Sequence, residues 1–392
     1  MSGSPPISTR FYYGWIVVVI AFVTLGIAVN ARTAFSLLYP PILDEFGWER
    51  GLTAAIFSIG FIASTASVPF IGMLMDRYGP RFVLPVSAIA VATGFLLSTV
   101  VATPVGFYLS LGLLAIGAGM PMTYIGHSMF LPNWFVRRRG LALGISFSGV
   151  GVIGLFLFPA LQALIVSMGW RAACIALAAA CVLILIPLNL VLQRGRPEEI
   201  GLEAGGAGAV EASTSHGPVV VDEPWASREW TLAAAAATAR FWWIAAGYFL
   251  ALYAWYAVQV HQTRYFLDIG IGGSEAAFAL GLVAATGVVG QIGIGHFSDR
   301  FGREWGWSLA LAGFMMSGLV LIAMHHAPSR ALLYLAVGTQ GFLGYGLASL
   351  FGPIPAEIFA GRRYATILGA LSVTGNLCET CPIIQLTGFY GS

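Results

Sequence analysis

The chain is 392 residues long, 58% hydrophobic and only 9% charged, with a formal net charge of +2 and a mean hydropathy of +0.83. A soluble domain carries about 25% charged residues, so composition excludes one, and arginines spread in short clusters exclude a basic nucleic-acid-binding face. What remains is an all-α polytopic membrane protein: apolar stretches of about 20 residues cross a bilayer as helices, whereas a barrel needs alternating ones.

The first apolar stretch, 13–38, follows Arg10 and lacks a small-residue cleavage site behind a short apolar core, so it reads as a retained span and not a signal peptide. Further spans are expected at 51–75, 82–101, 105–131, 140–162 and 170–193, closing an N-terminal half of residues 1–193. The connection 194–239 follows. Its stretch from Gly205 to Gly217 has the composition of a flexible linker, and that from Trp225 to Thr238 suits a short amphipathic helix at the membrane interface. Spans at 240–266, 273–297, 305–325, 331–356 and 364–386 form a C-terminal half, 240–392, and bring the total to eleven.

Lysine is absent, so orientation rests on arginine. Arg10, Arg77, Arg81, Arg137, Arg138, Arg139, Arg194, Arg196, Arg228, Arg240, Arg300, Arg303, Arg362 and Arg363 fall on one side of the predicted spans. Only Arg50, Arg171 and Arg330 fall on the other. The positive-inside rule then places the N-terminus and the 194–239 connection in the cytoplasm, as expected of a multi-pass cell inner-membrane protein.

The halves repeat. Gly72-x-x-x-Asp76-Arg77-x-Gly79-x-Arg81 after the second span returns as Gly295-x-x-x-Asp299-Arg300-x-Gly302-Arg303 after the eighth, with 223 positions between the aspartates. Phe135 to Arg139 returns as Phe359 to Arg363, and Asp44 as Asp268, both at an offset of 224. Independent landmarks at nearly one offset make the chain two copies of one module.

With these motifs the sequence resembles the major facilitator superfamily, and within it the monocarboxylate transporter and oxalate:formate exchanger branch. The strings that carry the resemblance are FYYGWIVV and SLLYPPILDEFGW around the first span, NWFVRRRGLALGISFSGVGVIG across the fifth, VHQTRYFLDIGI ending the seventh and AEIFAGRRYATILG before the eleventh. The resemblance implies a major facilitator fold of two pseudo-symmetric six-helix halves, alternating access, and a substrate held near the midplane between the halves. Departures are specific. Tyr12 and Tyr13 stand where the animal branch has an acidic residue, Gln291 stands at an arginine position of the eighth span, and the exchangers' lysine of the eleventh span is missing. The chain ends at Ser392, one helix short of the family's twelve.

Polar residues at membrane depth are the candidates for a pathway, since a buried charge costs about 2.5–3.5 kcal/mol on insertion scales. Arg32, with Asn30 and Thr33 beside it, reads either as the cation that meets a substrate carboxylate or as an arginine snorkelling to headgroups. His261, late in the seventh span, suits substrate binding or proton exchange, or packing at a helix end; Arg264 shares its helix face and reads more readily as a boundary residue. Tyr124 and His127 sit three residues apart in the fourth span, and so on one helix face, after Gly117, Gly119 and Pro121, a stretch that permits close helix approach or bending. Tyr124 offers a hydroxyl to a carboxylate and His127 a proton site, with packing as the plain reading of both. Gln291, Tyr345 and Asn376 are the opposite half's candidates.

Acidic residues are confined to loops and span ends, apart from Glu379 in the last segment and Glu357 near a helix end. This favours a small anion over an organic cation as cargo. Gly72, Asp76, Arg77, Gly79 and Arg81, with Gly295, Asp299, Arg300, Gly302 and Arg303, read as gating loops whose aspartates cap neighbouring helices. Arg137, Arg138, Arg139, Arg362 and Arg363 read as topology anchors or as parts of the same latch. Gly140-x-x-x-Gly144 is a close-packing pattern.

Cys378-x-x-Cys381 lacks the second ligand pair of a zinc site, and no metal or other cofactor is expected. The expected partners are a small organic anion, protons and the bilayer, with the chain a monomer and no nucleic acid bound. The reading is therefore a proton-coupled transporter of a monocarboxylate such as lactate, pyruvate or formate, and not an enzyme. An oxalate/formate-type anion exchanger and a non-transporting nutrient sensor are the alternatives.

Overall fold

The computed structural model describes residues 12–205, 223–226, 228–327 and 329–375. Among them are ten helices long and apolar enough to cross a membrane: α1 (Tyr13–Phe46), α2 (Arg50–Tyr78), α3 (Pro80–Ser98), α4 (Pro104–Trp134), α5 (Arg139–Met168), α6 (Trp170–Leu192), α7 (Ala239–Asp268), α8 (Gly273–Phe301), α9 (Arg303–His326) and α10 (Arg330–Ile358). A shorter apolar helix, α11 (Tyr364–Gly375), covers the start of the expected last span, and the rest of that span lies outside the described residues. Large apolar side chains stay exposed along the spans, Phe70 at 62% and Leu183 at 72%, as lipid-facing surfaces require.

Glycine sets the joints between α2 and α3 and between α8 and α9. Gly79 (φ +71°) and Gly302 (φ +112°) adopt a backbone closed to side chains. Each stops the helix before it, donating its N–H to Met75 O at 3.0 Å or Ser298 O at 3.1 Å. Pro80 then opens α3 at its first position, where its missing N–H costs nothing.

The first span is longer than expected. A turn at Ala34 interrupts α1, with Ala34 N–H donating to Asn30 O at 2.8 Å and the Thr33 hydroxyl bonding back to Val29 O at 3.0 Å. The helix then resumes through Pro40 and Pro41 to Phe46, and Gly47 (φ +60°) ends it.

The fourth span is irregular around the glycine and proline stretch at which bending was expected. After Pro104–Phe107 it widens to a π-helix over Tyr108–Gly117, tightens to 3₁₀ at Met120–Met122, resumes α over Tyr124–Ser128 and ends 3₁₀ at Leu131–Trp134. α10 repeats the pattern, with a π-helix over Thr339–Leu343 and 3₁₀ over Gly344–Leu350. Glycines let these backbones approach neighbours: a Cβ on Gly112 would come to 2.9 Å from Ile56 O, and one on Gly344 to 3.0 Å from the Phe314 ring.

The expected single amphipathic helix at Trp225–Thr238 is instead two short pieces, Glu223–Ala226 and Leu232–Ala236. They dock on protein: Trp225 Nε1 donates to Ile358 O at the end of α10 at 2.8 Å, and Trp230 packs edge-on against Phe359.

Two helix pairs join the halves, and the duplication relates them. α5 lies against α8, where a Cβ on Gly140 would meet Gly295 O at 2.4 Å, one on Gly144 would meet Gln291 O at 2.4 Å and one on Gly151 would meet Val288 at 2.7 Å. α2 lies against α11, where a Cβ on Gly72 would meet Ala365 O at 2.4 Å and one on Gly369 would meet Val68 O at 2.9 Å. Small residues at these contacts allow backbone-to-backbone approach.

Candidate functional site

The duplicated aspartates meet helix starts in the opposite half. Asp299, on α8, accepts the backbone N–H of Gly140 at 2.9 Å and of Leu141 at 2.8 Å, the first residues of α5. Asp76, on α2, accepts from Ala365 N at 3.1 Å, Thr366 N at 2.8 Å and the Thr366 hydroxyl at 2.5 Å, at the start of α11. The first N–H groups of a helix have no partner within it and carry partial positive charge, so a carboxylate there satisfies both needs. The Tyr364 hydroxyl adds a tie, 2.9 Å from Ser128 O on α4 and 2.8 Å from Gly352 O on α10. At the arginine-rich end the two halves are therefore shut.

The arginines of the motif divide by role. Arg303 bonds Asp299 at 2.7 Å and Glu357 at 2.8 Å. Arg139 donates to Pro132 O at 3.1 Å and Phe135 O at 2.8 Å, and it stands 3.8 Å from Glu357. Arg81 is spent on a helix end, donating to Leu190 O at 2.9 Å. Arg77, Arg137, Arg138, Arg300, Arg362 and Arg363 are exposed, and Arg77 and Arg300 lie over the neighbouring rings of Tyr78 and Phe301.

The first half's latch lacks the acid of the second, since Asn133 occupies the position that matches Glu357 by the repeat offset. A cavity of about 310 Å³ lies there, lined by Asp76, Arg81, Asn133, Arg196 and Glu199 among others. Arg196 reaches across to Arg362 O at 3.2 Å, so the connection between the halves is part of this end. Tyr12 fastens it further: its hydroxyl donates to Trp134 O at 2.5 Å and accepts from Gly205 N at 3.0 Å. Burial raises this phenol above its ordinary pKa, which keeps the donor proton in place.

Arg32 is half-buried, its guanidinium 4.0 Å above the centre of the Phe61 ring on α2, an attractive cation–π geometry. The helix runs on to Phe46, roughly 20 Å further at 1.5 Å per residue, so Arg32 lies in the interior of the helix and not at its end. Its neighbours are turned elsewhere. Asn30 is 3% exposed and donates both amide hydrogens to carbonyls, Gly26 O at 2.6 Å and Val150 O at 2.8 Å, which fixes α1 to α5. Thr33 is exposed and bonds its own helix.

Tyr124 and His127 share the short α-helical stretch Tyr124–Ser128 but differ in burial. Tyr124 is half-buried, edge-on against Phe147. His127 is fully buried, with Nδ1 3.0 Å from Thr123 O, and so has no solvent route in this conformation. Gln291 is 5% exposed with Oε1 lacking a partner among the described residues, and the same holds for Gln262 Nε2 on α7. The side chains of His261 and Arg264, and all of Asn376, lie outside the described residues.

The sequence reading passed over Trp255, Gln259 and Gln340. Gln340 Nε2 at 3.2 Å and the Tyr345 hydroxyl at 3.1 Å both donate to Gln259 Oε1, and Trp255 lies against Tyr345 at 4.4 Å between ring centres. For Gln340 a signal existed, the glycine interruption that α10 shares with α4; for Trp255 and Gln259, on the uninterrupted α7, the sequence carried none.

Matches to known proteins agree with this architecture. The family model of the Major Facilitator Superfamily matches residues 15–378. Monocarboxylate transporter 11 of Mus musculus is 28% identical over 97% of this chain and 79% of its own length. Monocarboxylate transporter 13 of Rattus norvegicus is 26% identical over 90% of this chain and 77% of its own. Among solved structures, the human organic anion transporter MFSD10 superposes with a TM-score of 0.68 at 15% identity, over 99% of this chain and 94% of that one. The proton:xylose symporter XylE gives 0.65 at 13%, over 96% and 90%, and at such identities the likeness concerns the fold alone. With ten apolar helices long enough to cross a membrane and relatives that are transporters and not enzymes, the chain belongs to the major facilitator superfamily as a multi-pass membrane protein related to the monocarboxylate transporters.

Proposed function

We propose that this chain is a secondary active transporter that moves a small organic anion, a monocarboxylate such as lactate, pyruvate or formate, together with protons by alternating access. The depth of Arg32 carries the reading. A guanidinium held roughly 20 Å of helix away from the end of its span supplies a cation for a carboxylate where the bilayer itself supplies none. Related chains named monocarboxylate transporters support the cargo class.

Alternating access follows from the latches. The described conformation is shut at the arginine-rich end by Asp76, Asp299, Tyr364 and the glycine contacts of α2–α11 and α5–α8. Opening that end breaks the bonds to Gly140, Leu141, Ala365 and Thr366, and the glycine-lined faces let the halves rock without side-chain obstruction. Arg77, Gly79, Arg81, Gly302 and Arg303 shape and hold the two loops. Protonation neutralises a carboxylate bound to Arg32 and eases its release, which couples proton to substrate.

The test is uptake of radiolabelled lactate, formate and oxalate into vesicles containing the purified protein, with and without an inward proton gradient, and Arg32→Ala beside the native chain. Gradient-driven uptake of a monocarboxylate that the substitution abolishes supports the proposal. Uptake that needs internal anion and ignores the gradient shows an exchanger instead, and folded protein with no flux removes the transporter reading for these anions.

A further inference from the structure

The second half of the site is neutral, and its chemistry is donor-rich. Two donors, Gln340 Nε2 at 3.2 Å and the Tyr345 hydroxyl at 3.1 Å, converge on the single acceptor Gln259 Oε1. A carboxamide whose oxygen is held this way turns its Nε2, with two N–H donors, to the opposite side. No hydrogen bond among the described residues uses that nitrogen.

The holders are rigid. Gln340 is 2% exposed. The Tyr345 ring lies against Trp255 and over Gly287, where a Cβ would stand 2.7 Å from the ring; Trp255 in turn packs on Phe314 at 5.4 Å. Any side chain larger than glycine at 287 would expel the tyrosine, so the cluster depends on that glycine. Gln259 itself is only half-buried. The Tyr345 ring that holds it lies over Gly287 on α8, next to Val288, which Gly151 of α5 approaches, so the cluster sits beside the contact between α8 and α5.

We infer that Gln259 is a specificity-determining residue of the transport site, its Nε2 donating to a second, uncharged acceptor on the transported anion. Gln340 and Tyr345 are positioning residues that orient it. The inference rests on the small-organic-anion reading. Its consequence is a preference for an anion with an oxo or hydroxyl oxygen beside the carboxylate over a saturated anion of the same size. A donor brought into a dry site without an acceptor loses its hydrogen bond to water and gains nothing in return. One neutral hydrogen bond sets the preference at about fivefold.

The experiment compares pyruvate with propionate, each labelled, for concentration dependence of uptake into vesicles. The native chain, Gln259→Met and Gln259→Glu are measured side by side; both substitutions keep the side-chain length and remove the donors. Tyr345→Phe, which removes one holder, should raise KM for pyruvate with little change in maximal rate. The expected result is a pyruvate preference of at least about fivefold in the native chain, falling toward unity in both variants. Equal affinity for the two anions in the native chain overturns the inference whether or not the variants fold, as does a preference that survives both substitutions. Uptake of neither anion overturns this inference, while lactate or formate uptake measured on the same vesicles decides the transport proposal separately.

Discussion

Replacing Asp299 by asparagine tests the latch where its geometry is most complete. The bonds that must break for the halves to separate are those to Gly140 N at 2.9 Å and Leu141 N at 2.8 Å. The bonds from Arg303 stay within the second half and survive opening, so they do not count. Taking the low end for a charge-assisted hydrogen bond, about 1.5 kcal/mol each, the pair favours the shut conformation by about 3 kcal/mol. Asparagine removes the charge and turns at least one N–H toward another N–H, so the ratio of shut to open molecules should fall by on the order of a hundredfold. Spin labels at the exposed positions Arg137 and Arg300, on opposite halves in a chain with its native cysteines replaced, report this as a distance distribution. The expected outcome is a longer-distance population that the unsubstituted aspartate suppresses. An unchanged distribution would refute the idea that these two bonds hold the halves together.

Other consequences are as direct. Gly295→Ala brings a Cβ to 2.3 Å from Gly140 O, a clash with backbone, so the same labels should lose the short distance and anion uptake should fall at least tenfold; wild-type behaviour would mean the helices separate there without cost. Asn30→Ala removes both bonds that join α1 to itself and to α5 and should cost about 1–3 kcal/mol, seen as a lower thermal midpoint, with KM moving by less than twofold; a large KM effect would return Asn30 to the binding site. Arg32→Lys keeps the charge but loses the planar fork and should retain more uptake than Arg32→Gln, whereas equal loss would argue that the guanidinium acts by packing on Phe61. Tyr12→Phe removes the bonds to Trp134 O and Gly205 N and should destabilise by about 1 kcal/mol, measured as a lower thermal midpoint while uptake per folded molecule holds.

Much of the helix framework around the candidate site was legible along the chain because it is written in local rules. Asp76 and Asp299 announced themselves through duplication, and Gly79 and Gly302 through the turn that only glycine adopts easily. Arg32 stood out because charge inside an apolar run is rare and costly. Which arginine pairs with which carboxylate was not legible: Arg303 and Arg139 join the latch while Arg137, Arg138, Arg362 and Arg363 stay exposed, a choice made by Glu357 arriving from a helix some fifty positions away. Tyr124 and His127 were placed on one helix face by spacing, and they share the α-helical stretch Tyr124–Ser128; what spacing did not show is that π and 3₁₀ segments flank that stretch.

By itself the sequence determined that this is a multi-pass membrane protein with internally repeated motifs, roughly where most of its spans lie, and where glycine and aspartate stand at the joints. Hydropathy, turn stereochemistry and repetition act over one helix or one loop, and a linear reading contains them. Tertiary structure alone decided that α5 meets α8 and α2 meets α11, that Asn30 is turned to α5, and that Gln259, Gln340 and Tyr345 form one cluster. Those outcomes depend on backbones approaching through glycine and on hydrogen bonds between residues more than eighty positions apart, where the angle of approach selects the partner and no local pattern records it.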